Sequence, residues 1–166
     1  MTQEKYIANL SNYNHWANEK ICNWVNKLTT QQWEQELIGS FASIKKTVLH
    51  ILAAESLWFD RINERPAKWN EEIYNNQSIE KISDEWLKMS SNLVTFCESQ
   101  SEIFLEKIIT YSRLNGDIYS QPLYEILSHV FNHSTYHRGQ IITLLHQVGF
   151  HDVGSTDLLL FFRENN

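Results

Sequence analysis

The sequence predicts an all-α protein, a bundle of four long helices, and three observations carry the prediction. Its 166 residues include only two prolines and five glycines, too few breakers for a many-turned β protein. Apolar residues make up 42% and aromatic residues 13%, enough to fill a core without disulfides or metal staples. Those apolar residues recur at spacings of three and four along four separate stretches, the period of a helix with one buried face. No repeat, low-complexity tract or long linker divides the chain, so a single domain over residues 1–166 is expected.

The first helix is expected from about Thr2 to Leu28, where Tyr6, Leu10, Tyr13, Ala17, Ile21, Trp24 and Leu28 form the stripe. Asn14 and Asn18 on this helix are expected to face water, as asparagine usually does. Thr29–Gln32 breaks the pattern and starts a short turn ending near Glu36. A second helix is expected from about Ser43 to Glu64, capped by Ser40 or Ser43, and Arg65-Pro66 ends it. A polar connection to about Gln77 leads to a third helix, from Ser78 to about Gln100, with Ile82, Trp86, Met89, Leu93 and Phe96 inward. The β-prone run Ile108–Tyr111 and the turn pair Asn115-Gly116 predict a hairpin, 107–113 with 117–120. Pro122 stands near the first position of the fourth helix, which runs to Gln147 and stops at Gly149. Asp157–Arg163 adds one or two closing turns.

The net charge is −6, from 20 acidic against 14 basic residues, and no basic stripe is present. Such a chain lacks the electrostatic footprint of a nucleic-acid binder. No apolar run reaches the length of a membrane span and no signal peptide is visible, so a cytoplasmic protein with no membrane partner is expected. Cys22 and Cys97 belong to no Cys-x-x-Cys pair and read as buried hydrophobes.

The chemistry concentrates in the fourth helix. His129, His133 and His137 follow one another at intervals of four, so all three point into one sector, about 40° apart. Two histidines at i and i+4 can close on one metal ion. The same pattern also fits a row of polar residues satisfied inside a packed helix. Zinc and nickel accept neutral imidazole, and a catalytic site keeps open positions beside about three protein ligands. The third ligand would come from another helix, and His50 is the best candidate because its face is mostly apolar and inward. Glu55 lies about 140° round from His50 and is not expected at the same point. No glutamate follows the first histidine of the pair, which excludes the usual zinc-peptidase base. No phosphate loop is present, and Ser128 and Ser134 have no nucleophile signature.

The run Gly39-Ser40-x-x-Ser43-Ile44-x-x-Thr47-x-x-His50-Ile51-x-x-x-Glu55-x-x-Trp58-x-x-Arg61 resembles the second helix of the DinB/YfiT-like family of metal-dependent bundles. His129-x-x-Asn132-His133-Ser134-x-x-His137-Arg138-Gly139-Gln140 resembles its fourth-helix signature, and Tyr13-Asn14-x-Trp16-Ala17-Asn18 its first. The resemblance implies a four-helix bundle of up-down-down-up topology, commonly a homodimer. It also implies a divalent metal, nickel or zinc, held by His50, His133 and His137, with His129 a signature residue outside the ligand set. Characterised relatives include bacillithiol-type S-transferases and mycothiol-dependent maleylpyruvate isomerases. The function implied is a metal-dependent transferase that activates a low-molecular-weight thiol, or, as a hydrolase, water. The alternative is a non-catalytic metal-binding module of stress response or structure.

Three further residues carry expectations of their own. Gly139, in mid-helix, suggests close approach of another helix. Arg138 points about 100° away from His137 and suits an ion pair with a carboxylate of a neighbouring helix. Arg61, with Asn14 and Asn18, is a candidate to touch a small-molecule substrate at the cavity mouth.

Overall fold

The computed structural model describes residues 2–112 and 116–165. Among these residues the four long helices are α1 (Gln3–Val25), α3 (Ile44–Ile62), α4 (Ile79–Glu98) and α6 (Leu123–Gln147). Short helices α2 (Thr30–Glu34), α5 (Glu102–Leu105) and α7 (Leu158–Glu164) and a 3-10 turn at Glu71–Tyr74 fill the connections. Ser43, one of the two expected caps of the second helix, does cap it, and two other long helices start in the same way. Thr2, Ser43 and Ser78 each accept the backbone N–H three residues on, satisfying a donor that the helix itself leaves unpaired. Thr29 and Gln32 form a reciprocal capping box, which turns the expected short turn into α2.

The hairpin pairs β1 (Ile108–Ser112) with β2 (Ile118–Pro122), antiparallel, with Thr110 opposite Ser120. Gly116 adopts φ +88°, which suits its place in the turn, while Asn115 lies outside the described residues. The second strand runs further than expected, to Pro122, so proline caps α6 from outside rather than opening it. At the far end, Gly149 at φ +81° and the bond from Phe150 N–H to the Leu145 carbonyl close α6.

Side-chain pairings give the helix directions. Asn12 bonds Glu98, His15 bonds Ser90 and Cys22 meets Ser83, so α1 and α4 run antiparallel. His50 meets His133, and Trp58 further along α3 meets His129 earlier on α6, so these two are also antiparallel. Ile7 shares a core cluster with Leu123 and Leu127, and Ile21 with Ile141 and Leu145, so α1 and α6 run parallel. The order is therefore up-down-down-up. No helix among the described residues is long and apolar enough to cross a membrane.

The core has two large apolar lobes and a small third cluster of Tyr13, Ala17 and Phe161. One large lobe gathers Ile21, Val25, Ile44, Val48, Trp86 and Leu145; the other Ile7, Ile62, Leu93, Leu127 and Phe131. On α1, α3 and α6 a band of polar residues stands in sequence between them: Asn14 and Asn18, Glu55, and Ser134 and Arg138, all buried. Cys22 and Cys97 are free and buried as expected, and burial pushes both thiols up to about 12.

Candidate metal centre

α3 and α6 bring His50, His133 and His137 together, with one ligand-type atom of each within 4.8 Å of the others. His133 Nε2 lies 3.0 Å from His50 Nε2 and 3.1 Å from His137 Nε2. Nitrogen ligands at about 2.0–2.1 Å from one ion stand roughly 3.0–3.4 Å apart, so the cluster is compatible with a shared metal. The i, i+4 spacing on α6 supplies two of the rings and the antiparallel neighbour supplies the third, as the helical period requires.

Proton bookkeeping points the same way. His137 Nδ1 lies 2.8 Å from Gln140 Oε1, an acceptor, so the ring proton sits on Nδ1 and a lone pair projects from Nε2. Gln140 is itself held by donating to Ser40 Oγ at 3.1 Å. In any neutral arrangement, a single N–H must then serve two N···N contacts or two lone pairs face each other. His133 Nδ1 is buried without a hydrogen-bond partner among the described residues. A divalent cation would satisfy all three Nε2 lone pairs at once. Burial, then His137, His50 and His129 in that order, lowers His133 to about 4, and burial followed by His137 lowers His50. Both rings are thus neutral at physiological pH, the state that metal ligation needs.

Aromatic rings wall the cluster. Phe41 stacks on His50 at 4.0 Å and 23° and meets His137 edge-on at 5.4 Å. It is presented by the turn before α3, where Ala42 adopts φ +58°, an uncommon conformation for a residue with a Cβ. Tyr136 stands edge-on to His137 at 4.9 Å on the solvent side. His129 is exposed and packs edge-on against Trp58 at 5.9 Å, outside the cluster, as the resemblance implied. His146 and His151 are surface residues, and His15 is engaged with Ser90 on α4.

Two expectations fail beside the cluster. Asn14 and Asn18 do not face water: they are 1% and 0% exposed. Each donates its amide to Glu55 Oε1, at 2.8 and 3.3 Å, and accepts from Arg138 Nη1, at 2.6 and 2.8 Å. Ser134 adds a third donor to Glu55 Oε1 at 2.9 Å, and Arg138 also donates to Thr135. The general preference of asparagine for solvent loses here to a pair of buried partners that need both its donor and its acceptor. Arg138 is structural and turned from the histidines, as expected, but it reaches its carboxylate through the two amides. Its guanidinium also lies over the Tyr13 ring. Among the described residues Glu55 bonds no histidine, in keeping with its angular offset; burial raises it, against the pull of Asn14, Ser134, Arg138 and Asn18. Gly139 is the second failure. It is exposed, and an added Cβ would meet nothing within 4 Å, so no helix approaches there.

This polar layer bears on the site because its members alternate with the ligand candidates. Ser134 follows His133 and Arg138 follows His137, so anchoring them fixes the rotation of α6 that aims both rings at α3. Ser134 Oγ donates to Glu55 and Ser128 Oγ to the Tyr124 carbonyl, so neither is poised as a nucleophile. Of the residues considered for substrate contact, Arg61 alone lines a described cavity, one of about 710 Å³ beside the hairpin. Sequence reasoning assigned no role to Phe41 or Gln140. The i, i+3 spacing of His137 and Gln140 was a readable signal for the second; nothing local announced the first.

The comparisons with known proteins agree with the fold. The chain is 28% identical over 152 residues to protein DinB of Bacillus subtilis (strain 168), covering 87% of each. It is 22% identical over 133 residues to the uncharacterized protein YizA of the same organism, covering 78% of this chain and 79% of the other. Among solved structures, a DinB-like protein from Bacillus cereus ATCC 10987 superposes with a TM-score of 0.64 at 20% identity, over 84% of this chain and 90% of that one. The DinB-like protein YjoA of Bacillus subtilis gives 0.59 at 16%, over 93% and 97%. The model of the DinB family matches residues 1–165, and the chain therefore belongs to the DinB family.

Proposed function

We propose that the protein is a metal-dependent enzyme of thiol S-transfer, with His50, His133 and His137 holding one divalent ion, nickel or zinc. The observation that carries the reading is the convergence of three Nε2 atoms at 3.0 and 3.1 Å with the His137 tautomer set by Gln140. A bound ion would lower the pKa of a small thiol, or of water, so that it reacts as an anion near neutral pH. The protein's own contribution is positional. Gln140 aims His137, the Glu55–Arg138 layer fixes α6, and Phe41 excludes water from one side of His50. In such a transfer the thiol proton leaves to solvent, a bond forms from sulfur to an electrophilic carbon, and the leaving group departs with its electron pair.

Elemental analysis of the purified protein, paired with a thiol-consumption screen on the metal-loaded form, tests the proposal. About one equivalent of metal per chain is expected, lost in His137→Ala. Protein that holds no stoichiometric metal and takes up none on addition would sink the reading. Metal without thiol affinity or conjugation would leave a non-catalytic metal-binding module.

A further inference from the structure

The cavity beside the hairpin differs in charge from the rest of the molecule. Arg61 from the last turn of α3, and Glu64 and Arg65 from the turn after it, line it together with Lys107 and β1. Lys107 is neutralised by Glu64 at 2.9 Å. Arg61 and Arg65 have no carboxylate partner within 4.0 Å among the described residues. Two uncompensated guanidiniums therefore share one concave surface of a chain whose net charge is −6. Background charge would not place them there, and an acidic protein would not attract anions to this face without them.

Their setting suits ligand recognition. The Arg61 guanidinium lies over the Trp58 ring, 4.9 Å from its centroid, and 6.0 Å from that of Tyr111 on β1. Trp58 meets Tyr111 edge-on at 4.8 Å, so the two rings hold the guanidinium in place, and no hydrogen bond occupies its donors among the described residues. Arg65, also lining the cavity, is exposed, with its guanidinium 6.0 Å from the Phe59 ring. Guanidinium forks match the oxygens of carboxylate and phosphate groups in geometry as well as charge. Among the described residues β1 pairs only with β2, so its outer edge offers further backbone groups to the cavity it lines.

No histidine lines the cavity, but ring contacts lead from Arg61 through Trp58 and His129 toward the cluster. Trp58 touches His129 at 5.9 Å, and His129 touches His133 at the same separation. Arg61 stands eleven residues after His50, about 16 Å along α3 and about 20° round from it, so both lie on one face of the helix. A small molecule of two or three linked units can bridge the distance.

We infer that Arg61 and Arg65 form an anion subsite that binds the carboxylate or phosphate end of a small molecule whose other end lies at the histidine cluster. The far end of that ligand rests on the proposed function; the anion subsite itself does not.

The test is titration of the full chain with inorganic phosphate and, separately, with succinate, at ionic strength held constant with sodium chloride. Amide spectra are recorded for the parent protein and for His133→Ala, which keeps any histidine-bound metal from capturing the anion. Saturable shifts are expected at the Trp58 indole N–H and at the amides of Ile108–Ser112, in both proteins. Arg61→Gln with Arg65→Gln should weaken binding at least tenfold. Arg65→Gln alone, at an exposed position where the fold is not at risk, should weaken it by severalfold, and Arg65→Lys should restore part of it. Preference for phosphate names a phosphate ester, and preference for succinate a carboxylic acid. Shifts that fail to saturate, or that persist in the double variant, overturn the inference. Because His133→Ala should bind anions whether or not the parent holds metal, failure of the metal reading and failure of this one give different patterns.

Discussion

Two polar regions share α3 and α6, and they are satisfied in different ways. The layer of Glu55, Asn14, Asn18, Ser134 and Arg138 is buried, and although Glu55 Oε2 and Arg138 Nε have no partner among the described residues, Glu55 Oε1 takes three donors and Arg138 finds three acceptors. The histidine cluster one step away presents nitrogen to nitrogen, with too few protons for its contacts and His133 Nδ1 unpartnered. The first region meets most of its needs with its own donors and acceptors, which serves the fold. The second is a cluster of nitrogens compatible with a shared cation.

The largest expected effect breaks the closed side. Arg138→Ala leaves Glu55 and two amides without their counterpart, and loss of one partner of a buried charge pair costs about 3–5 kcal/mol. Urea denaturation should show that loss with or without metal. A loss under 1 kcal/mol would show that the layer is not the anchor described here.

The open side should behave in the reverse sense. His133→Ala removes no satisfied contact, so metal-free protein should keep its stability, while the stabilisation by added metal disappears. At a free metal concentration of a hundred times Kd that stabilisation is about 2.7 kcal/mol. A thermal shift with zinc or nickel that survives in His133→Ala would remove this residue from the ligand set.

Acid sharpens the contrast, because the two regions carry opposite signs. His133 is held near 4, below the ordinary histidine value of about 6.5. The unfolded chain therefore binds more protons than the folded one between those values. The stability of the metal-free protein should be full above about 6.5 and fall as the pH drops toward 4. Glu55 is raised, so its own contribution is present below the unfolded glutamate value and is lost as the pH rises through the folded one. The slope of stability between pH 4 and 6.5 should be shallower in His133→Ala than in the parent; an unchanged slope would contradict the assignment.

Smaller still is the effect of orientation. Gln140→Leu releases the His137 ring proton, and loss of such an orienting partner typically lowers metal affinity 10–100-fold. Competition with a chelator measures it, and unchanged affinity would dismiss the role of Gln140. Smallest is Gly139→Ala, which should stabilise by about 0.5–1 kcal/mol, since the added methyl meets nothing and helix propensity alone decides. Destabilisation would restore the close approach that the structure denies.

The sequence was most informative where one residue type carries the signal alone. Helix starts were legible because Ser43 and Ser78 cap by their own side chains, and His133 with His137 because a fixed period puts them on one face. His50 was legible as a candidate because a histidine on an apolar stripe needs a partner. Residues whose placement depends on partners from other helices were not. Asn14 and Asn18 are exposed by habit and buried here, since their role exists only once Glu55 and Arg138 arrive from α3 and α6. Phe41 depends on a left-handed Ala42 that no local rule predicts, and Gly139 misled because an exposed helical glycine looks the same in sequence as a packed one.

The two buried cysteines have a practical consequence. With both thiols protonated up to about 12 and shielded, neither reacts at an appreciable rate with disulfide reagents or electrophiles while the bundle stays folded. An assay that follows consumption of an added thiol by a chromogenic disulfide should therefore have almost no background from the protein. The same reagent, added without substrate, becomes a counter of molecules that have opened.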